Sequence, residues 1–179
     1  MSEPTTAQWL IEHYGMKILP VESTLLTSTY ASTALTASGD PLGTAMIGIY
    51  CQEPLSRSLF HRLDHDEVWH FYSGDPLRLI LLHPDGRTEE VILGPDVAAG
   101  HRVQHVVPSG VWQAGEIVPG GRWTLFGCTM APGFTPACFE GGYAHELSDQ
   151  YPDRRSDIAR LGVPADSAAT IPTSTEQEH

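Results

Sequence analysis

A chain of 179 residues is long enough to bury one sizeable core, and by length it is a single domain. Hydrophobic residues make up 41% and charged residues 18%, a globular balance. The formal net charge of −12 argues against binding nucleic-acid phosphates, which needs clustered Lys and Arg, and no apolar run is long enough to span a bilayer.

The first segment, TAQWLIEHYGM, reads as a short helix. Trp9, Leu10, His13 and Tyr14 share one face, Thr5 or Thr6 caps the start, and Gly15 ends it. Short strand-like runs follow: STLLTSTYAS, GTAMIGIYC, EVWHFYSG, PLRLILLHPDG and TEEVILGP, then GHRVQHVVPSG, VWQAGEIVPGG and RWTLFGCTMAPGF. Turn signals such as SGDP, PDG and PGG separate them, in keeping with a chain holding 17 Gly and 14 Pro. Six to nine short strands punctuated in this way imply an all-β sandwich or barrel, here residues 1–143. From Ala144 to His179 the chain turns polar. AHELSDQYPDRRSDIARLG reads as one polar helix whose Leu147, Ile158 and Leu161 are too sparse for a core, and VPADSAATIPTSTEQEH has the composition of a disordered tail.

The three cysteines, Cys51, Cys128 and Cys138, form no CxxC pair and read as buried, inert thiols. With no signal-peptide pattern at MSEPTTAQW, a reduced, cytoplasmic protein is expected.

FHRLDHDEVWHFYSG concentrates the chemistry-bearing side chains. Strand alternation puts Glu67, Trp69 and Phe71 on one face and Val68, His70 and Tyr72 on the other, without saying which face is inside. A glutamate buried beside two aromatics is costly unless paired, so Glu67 on a barrel-facing strand marks a site. Asp64, His65 and Asp66 read as a solvated turn. His101 and His105 mimic ligand spacing on one strand face but fit ordinary surface histidines as well. Trp69, Trp112 and Trp123 suit a core as readily as a pocket wall. No His or Lys adjoins Cys128 in sequence, so little marks it as a nucleophile.

The spacing from Glu67 to Gly74, a glutamate, six residues and a glycine, resembles the end of the first cupin motif. Pro108, Gly110 and Gln113 resemble the second, with Gln113 where that motif has histidine. HRLDHDEVWHFYSGDPL, VVPSGVWQAGE and GCTMAPGF together resemble the "cupin five" branch, whose function is unknown, over about Thr6 to Glu140. The resemblance implies a double-stranded β-helix or jelly-roll barrel, a ligand cavity inside it, and a homodimer. The branch commonly carries a segment like PEGGYFRETYRS; here it is PVESTLLTSTYAS, with Glu22 near the matching acid and the Gly pair, Arg and later Glu gone. That loss removes an anion contact and implies a more apolar or simply different substrate.

A cupin metal centre uses a His-x-His pair, the glutamate and the late histidine. Here the pair falls on Phe60 and Arg62 or on His61 and Leu63, and Gln113 is a poor ligand. No cofactor is therefore expected; a divalent metal would need His61, Glu67 and His70. Without metal, His61 and Glu67 can act as acid and base, with His70 and Tyr72 as further catalytic candidates. Arg62, Trp69, Trp112, Gln113, Tyr50 and Cys128 complete the expected substrate-binding set. The expected activity is a small-molecule isomerase, epimerase or cyclase. The alternatives are a ligand-binding protein without turnover and a metal-dependent dioxygenase or lyase.

Overall fold

Turn residues cut the chain into short strands, and the computed structural model, which describes residues 6–172, arranges eleven of them in two antiparallel sheets. In chain order the elements begin with α1 (Ala7–Tyr14), β1 (Lys17–Ile18), β2 (Leu25–Ala31) and β3 (Thr44–Cys51). Next come β4 (Ser58–Leu63), β5 (Glu67–Gly74), β6 (Leu77–Leu82), β7 (Thr88–Leu93) and β8 (Gln104–Val107). Then follow β9 (Trp112–Ile117), β10 (Trp123–Met130), β11 (Phe139–Gly141), α2 (Ala144–Gln150) and α3 (Arg155–Leu161). The first sheet runs β1-β2-β3-β10-β5-β8 and the second β11-β4-β9-β6-β7. This is the all-β barrel that the turn spacing implies. No helix among the described residues is long and apolar enough to cross a membrane.

The helix at the start forms as its signals require. The Thr6 hydroxyl accepts from Trp9 N at 3.2 Å, and Gly15 closes the helix in the left-handed region at φ 60°. Its buried face differs from the expected one. Ala7 and Leu10 enter a cluster with Ile49, Cys51 and Leu125 on the outer side of the first sheet, while Trp9 is half exposed and stacks on His13 at 4.5 Å.

Two layers of apolar side chains hold the barrel. Between the sheets, Tyr50, Trp69 and Phe126 pack with Leu77, Leu79 and Leu81. Gly115 is required here, because a Cβ at that position would lie 2.5 Å from the Tyr50 hydroxyl. The second layer corrects the reading of the C-terminal segment. It forms two short helices joined by a 3-10 turn at Pro152–Arg154, and Leu147, Ile158 and Leu161 are buried, with Tyr151, on Phe60, Ile80, Leu82 and Trp112. Arg78 ties this layer to the sheet: its guanidinium donates to Asp157 at 2.6 Å and to Glu116 at 2.9 Å. Residues 173–179 of the expected tail lie outside the described residues.

Candidate functional site

Parity on β5 is settled by packing. Glu67 and Trp69 are buried on the inner face, with Phe71 packed against the same core, whereas His70 and Tyr72 stand on the outer face. His70 bonds Thr129 Oγ1 at 2.9 Å and receives Gln104 Nε2 at 3.2 Å; half-exposed Tyr72 lies across Gly127. As catalytic candidates both are corrected, because strand alternation carries them out of the barrel.

The same rule sorts β4 and β9. His61 and Gln113 are register partners that face inward, and both are almost fully buried. Their neighbours Arg62 and Trp112 therefore face out. Arg62 pairs with Glu140 at 2.7 Å and covers the Trp112 ring at 4.5 Å, and Trp112 packs beneath the C-terminal helices. Both were expected to bind substrate, and both stand outside the cavity. Tyr50 is wholly buried in the core and lies behind the cavity, as does Trp69.

The inner face leaves a cavity of about 330 Å³. Its polar lining is Glu22, Ser28, Thr44, His61, Glu67 and Cys128; Leu26, Met46, Leu63, Met130 and Phe134 supply much of the apolar wall. Of the residues singled out in the sequence, His61, Glu67 and Cys128 meet here. Glu22, Ser28 and Thr44 were not among the expected site residues. For Glu22 the one available signal was its place near the acid of the family segment.

His61 is held rigidly. It stacks on Phe139 with ring centroids 5.2 Å apart, and its Nδ1 donates to Leu59 O at 2.8 Å. That bond leaves Nε2 as the nitrogen able to serve the cavity. Glu67 is anchored by Gln113, whose Nε2 donates to Glu67 Oε2 at 2.8 Å while its Oε1 accepts from Trp69 Nε1 at 2.9 Å. Burial pushes the Glu67 carboxyl above its ordinary range. His61 opposes that rise, Glu22 adds to it, and bonds from Gln113 and the Cys128 thiol oppose it. The Cys128 thiol is itself raised well above its usual value, chiefly by burial, so it stays protonated and a poor nucleophile.

A folded-state value raised above the unfolded one favours the neutral carboxyl. Its contribution to stability is present at low pH and is lost as pH rises through the folded-state value. Glu67→Gln, which cannot ionise, is therefore expected to flatten the pH dependence of unfolding. Urea denaturation across the acidic to neutral range tests this; an unchanged slope would show that Glu67 titrates as an ordinary carboxyl.

The donors do not fit a mononuclear cupin metal centre. Phe60 and Arg62 face out, Leu63 is apolar, and both polar atoms of Gln113 are engaged. His70 lies on the opposite side of its strand from Glu67, so the set His61, Glu67 and His70 is not brought together. Among the described residues no group of three or more His, Cys, Asp or Glu side chains is arranged to hold a metal ion. The cysteines are free and buried, as expected. Asp64 and His65 form a bend, and Asp66 Oδ1 accepts from Ser109 N at 2.8 Å. His101 precedes β8 and His105 lies within it, so the two do not share a strand face.

Residues 8–141 match the family described as Cupin superfamily (DUF985). Among solved structures, a protein from Shewanella oneidensis is 29% identical with a TM-score of 0.82, covering 90% of this chain and 99% of that one. A hypothetical protein from Leishmania major is 25% identical with a TM-score of 0.77, covering 88% of this chain and 99% of that one. No curated protein matches the chain.

Proposed function

The chain belongs to the cupin superfamily, in its DUF985 family, and on that premise we propose a small-molecule isomerase, epimerase or cyclase whose acid–base chemistry runs inside the barrel without a metal. One observation carries this reading: His61 and Glu67 line the same cavity, and the side chain at the late-histidine position, Gln113, is spent on holding Glu67.

His61 Nε2 is the base. It removes a proton from a carbon beside a carbonyl, breaking the C–H bond and forming N–H, with the Nδ1–H bond to Leu59 O stabilising the imidazolium. Glu67, kept protonated to higher pH by burial, donates its proton to the carbonyl oxygen as negative charge develops there. For isomerisation the hydroxyl on the deprotonated carbon gives its proton to Glu67 while the imidazolium proton goes to the former carbonyl carbon. For epimerisation the enol returns its proton to Glu67 and, after turning over in the cavity, takes the imidazolium proton on the opposite face of the same carbon.

Two measurements test the proposal. Metal analysis of protein purified without chelators is expected to give far less than one metal per chain, and stoichiometric zinc, iron, nickel or manganese would overturn it. In deuterated water, small hydroxy-ketones and aldoses are expected to gain deuterium beside the carbonyl. His61→Ala and Glu67→Gln should each slow that exchange by about 10²–10⁴-fold, the usual worth of a positioned acid or base. A ligand retained through purification, with no exchange of any member of the panel, would replace the enzyme reading with that of a binding protein.

A further inference from the structure

Glu22 reaches the cavity from an irregular turn, and the fold strains to put it there. Val21 and Ser23, on either side, have φ of 70° and 69°. Left-handed backbone is unfavourable for residues other than glycine, most of all for Val21, which is branched at Cβ. The turn is pinned by Leu19 N to Thr24 O at 2.7 Å and by Leu59 N to Glu22 O at 2.8 Å.

The side chain is 7% exposed and lines the cavity. Its Oε1 accepts from Thr24 Oγ1 at 2.5 Å and from Ser58 Oγ at 2.7 Å, and Ser58 is backed by the Tyr50 hydroxyl at 2.5 Å. Among the described residues its Oε2 has no hydrogen-bond partner, and neither does Nε2 of His61, which is 2% exposed on the same cavity. Two side chains more than nine-tenths buried thus each aim an unused polar atom into one space.

The charge of that space selects what can fill it. The lining holds two carboxylic residues, one imidazole and no Lys or Arg. A bound anion would meet the Glu22 carboxylate with no fixed cation to offset it, whereas a cation would supply what that buried carboxylate needs. The remaining wall is mostly apolar.

We propose that the cavity takes a small, mainly apolar molecule bearing a protonated amine, and that Glu22 Oε2 is the anchor for that amine. The inference rests on the barrel interior being the ligand site, as in the reading above, and does not require turnover.

Benzylamine, benzyl alcohol and benzoate share one apolar body and differ in the polar head. Their binding to the full chain is read at the Met46 and Met130 methyl groups, which line the cavity, by carbon-13 methionine labelling. Benzylamine is expected to shift these signals and to bind at least about ten-fold tighter than benzyl alcohol, the effect of one charge-assisted hydrogen bond. Benzoate should leave them unmoved. Glu22→Gln should abolish the amine's advantage and keep the alcohol's affinity. Equal binding of amine and alcohol, preferred binding of benzoate, or full amine affinity in Glu22→Gln would each overturn the proposal while leaving the barrel as the ligand site. If none of the three shifts either methyl group, the amine proposal falls, while the isomerase reading is decided separately by the deuterium exchange. Should Glu22→Gln not fold, the ranking on the wild-type chain decides alone.

Discussion

Ending the chain at Tyr143, so that residues 144–179 are removed, is expected to give a protein that does not melt cooperatively. Four of the apolar side chains lost, Leu147, Tyr151, Ile158 and Leu161, are at most 2% exposed. They cover Phe60, Ile80, Leu82 and Trp112 on the outer side of the second sheet. At roughly 1.5–3 kcal/mol for each fully buried side chain, the helices alone contribute about 6–12 kcal/mol. Before the entropy of ordering the helices is subtracted, that is on the scale of a typical domain's whole stability, about 5–15 kcal/mol. Removal also strips Arg78 of Asp157 and deprives the His83 carbonyl of the Tyr151 hydroxyl, a bond of 2.9 Å. Circular dichroism melts and soluble yield give the readout. Ile158→Ala provides a graded version, expected to fold and to lose about 2–5 kcal/mol. A truncated chain melting near the full-length temperature would show that the helices are an appendage to the barrel.

That dependence was hidden in the sequence for a physical reason. Leu147 and Ile158 sit in different short helices, so neither helix is long enough to show a periodic stripe, and each buries only a few side chains on a sheet. A sheet face covered by helices also reads, strand by strand, like one covered by water if only the inner parity is followed. On β5 alternation was legible and correctly grouped Glu67, Trp69 and Phe71. Carried to β4 and β9, the same rule excludes Arg62 once His61 faces in, and Trp112 once Gln113 does. Residue type points to Arg62 and Trp112, whereas parity turns both away from the cavity. Glu22 is a different case. It lies in a turn, where no period operates, and positive φ at Val21 and Ser23 contradicts what their residue types suggest.

Gln113→Leu is expected to be among the most damaging single changes near the site, although Leu is apolar, similar in size and placed in a core. The wild-type amide is 1% exposed and satisfies two buried groups at once, Trp69 Nε1 and Glu67 Oε2. Leucine strands both, at about 1–3 kcal/mol for each unsatisfied group, or about 2–6 kcal/mol together. The loss should also depend on pH. Gln113 donates to the carboxylate and so opposes the rise that burial imposes on Glu67. Without that donor the folded-state value climbs further, the neutral carboxyl is favoured more strongly, and ionising Glu67 at neutral pH costs more. The stability deficit of Gln113→Leu, from urea denaturation, should therefore widen as pH rises and narrow in acid, where Glu67 is neutral in both proteins and the orphaned Trp69 N–H remains. Combining Gln113→Leu with Glu67→Gln removes the titrating group, so the pH-dependent part should vanish and the constant part persist. A deficit that is the same at every pH would mean that Gln113 serves Trp69 and the packing of the core, and does not tune the acid that the proposed chemistry uses.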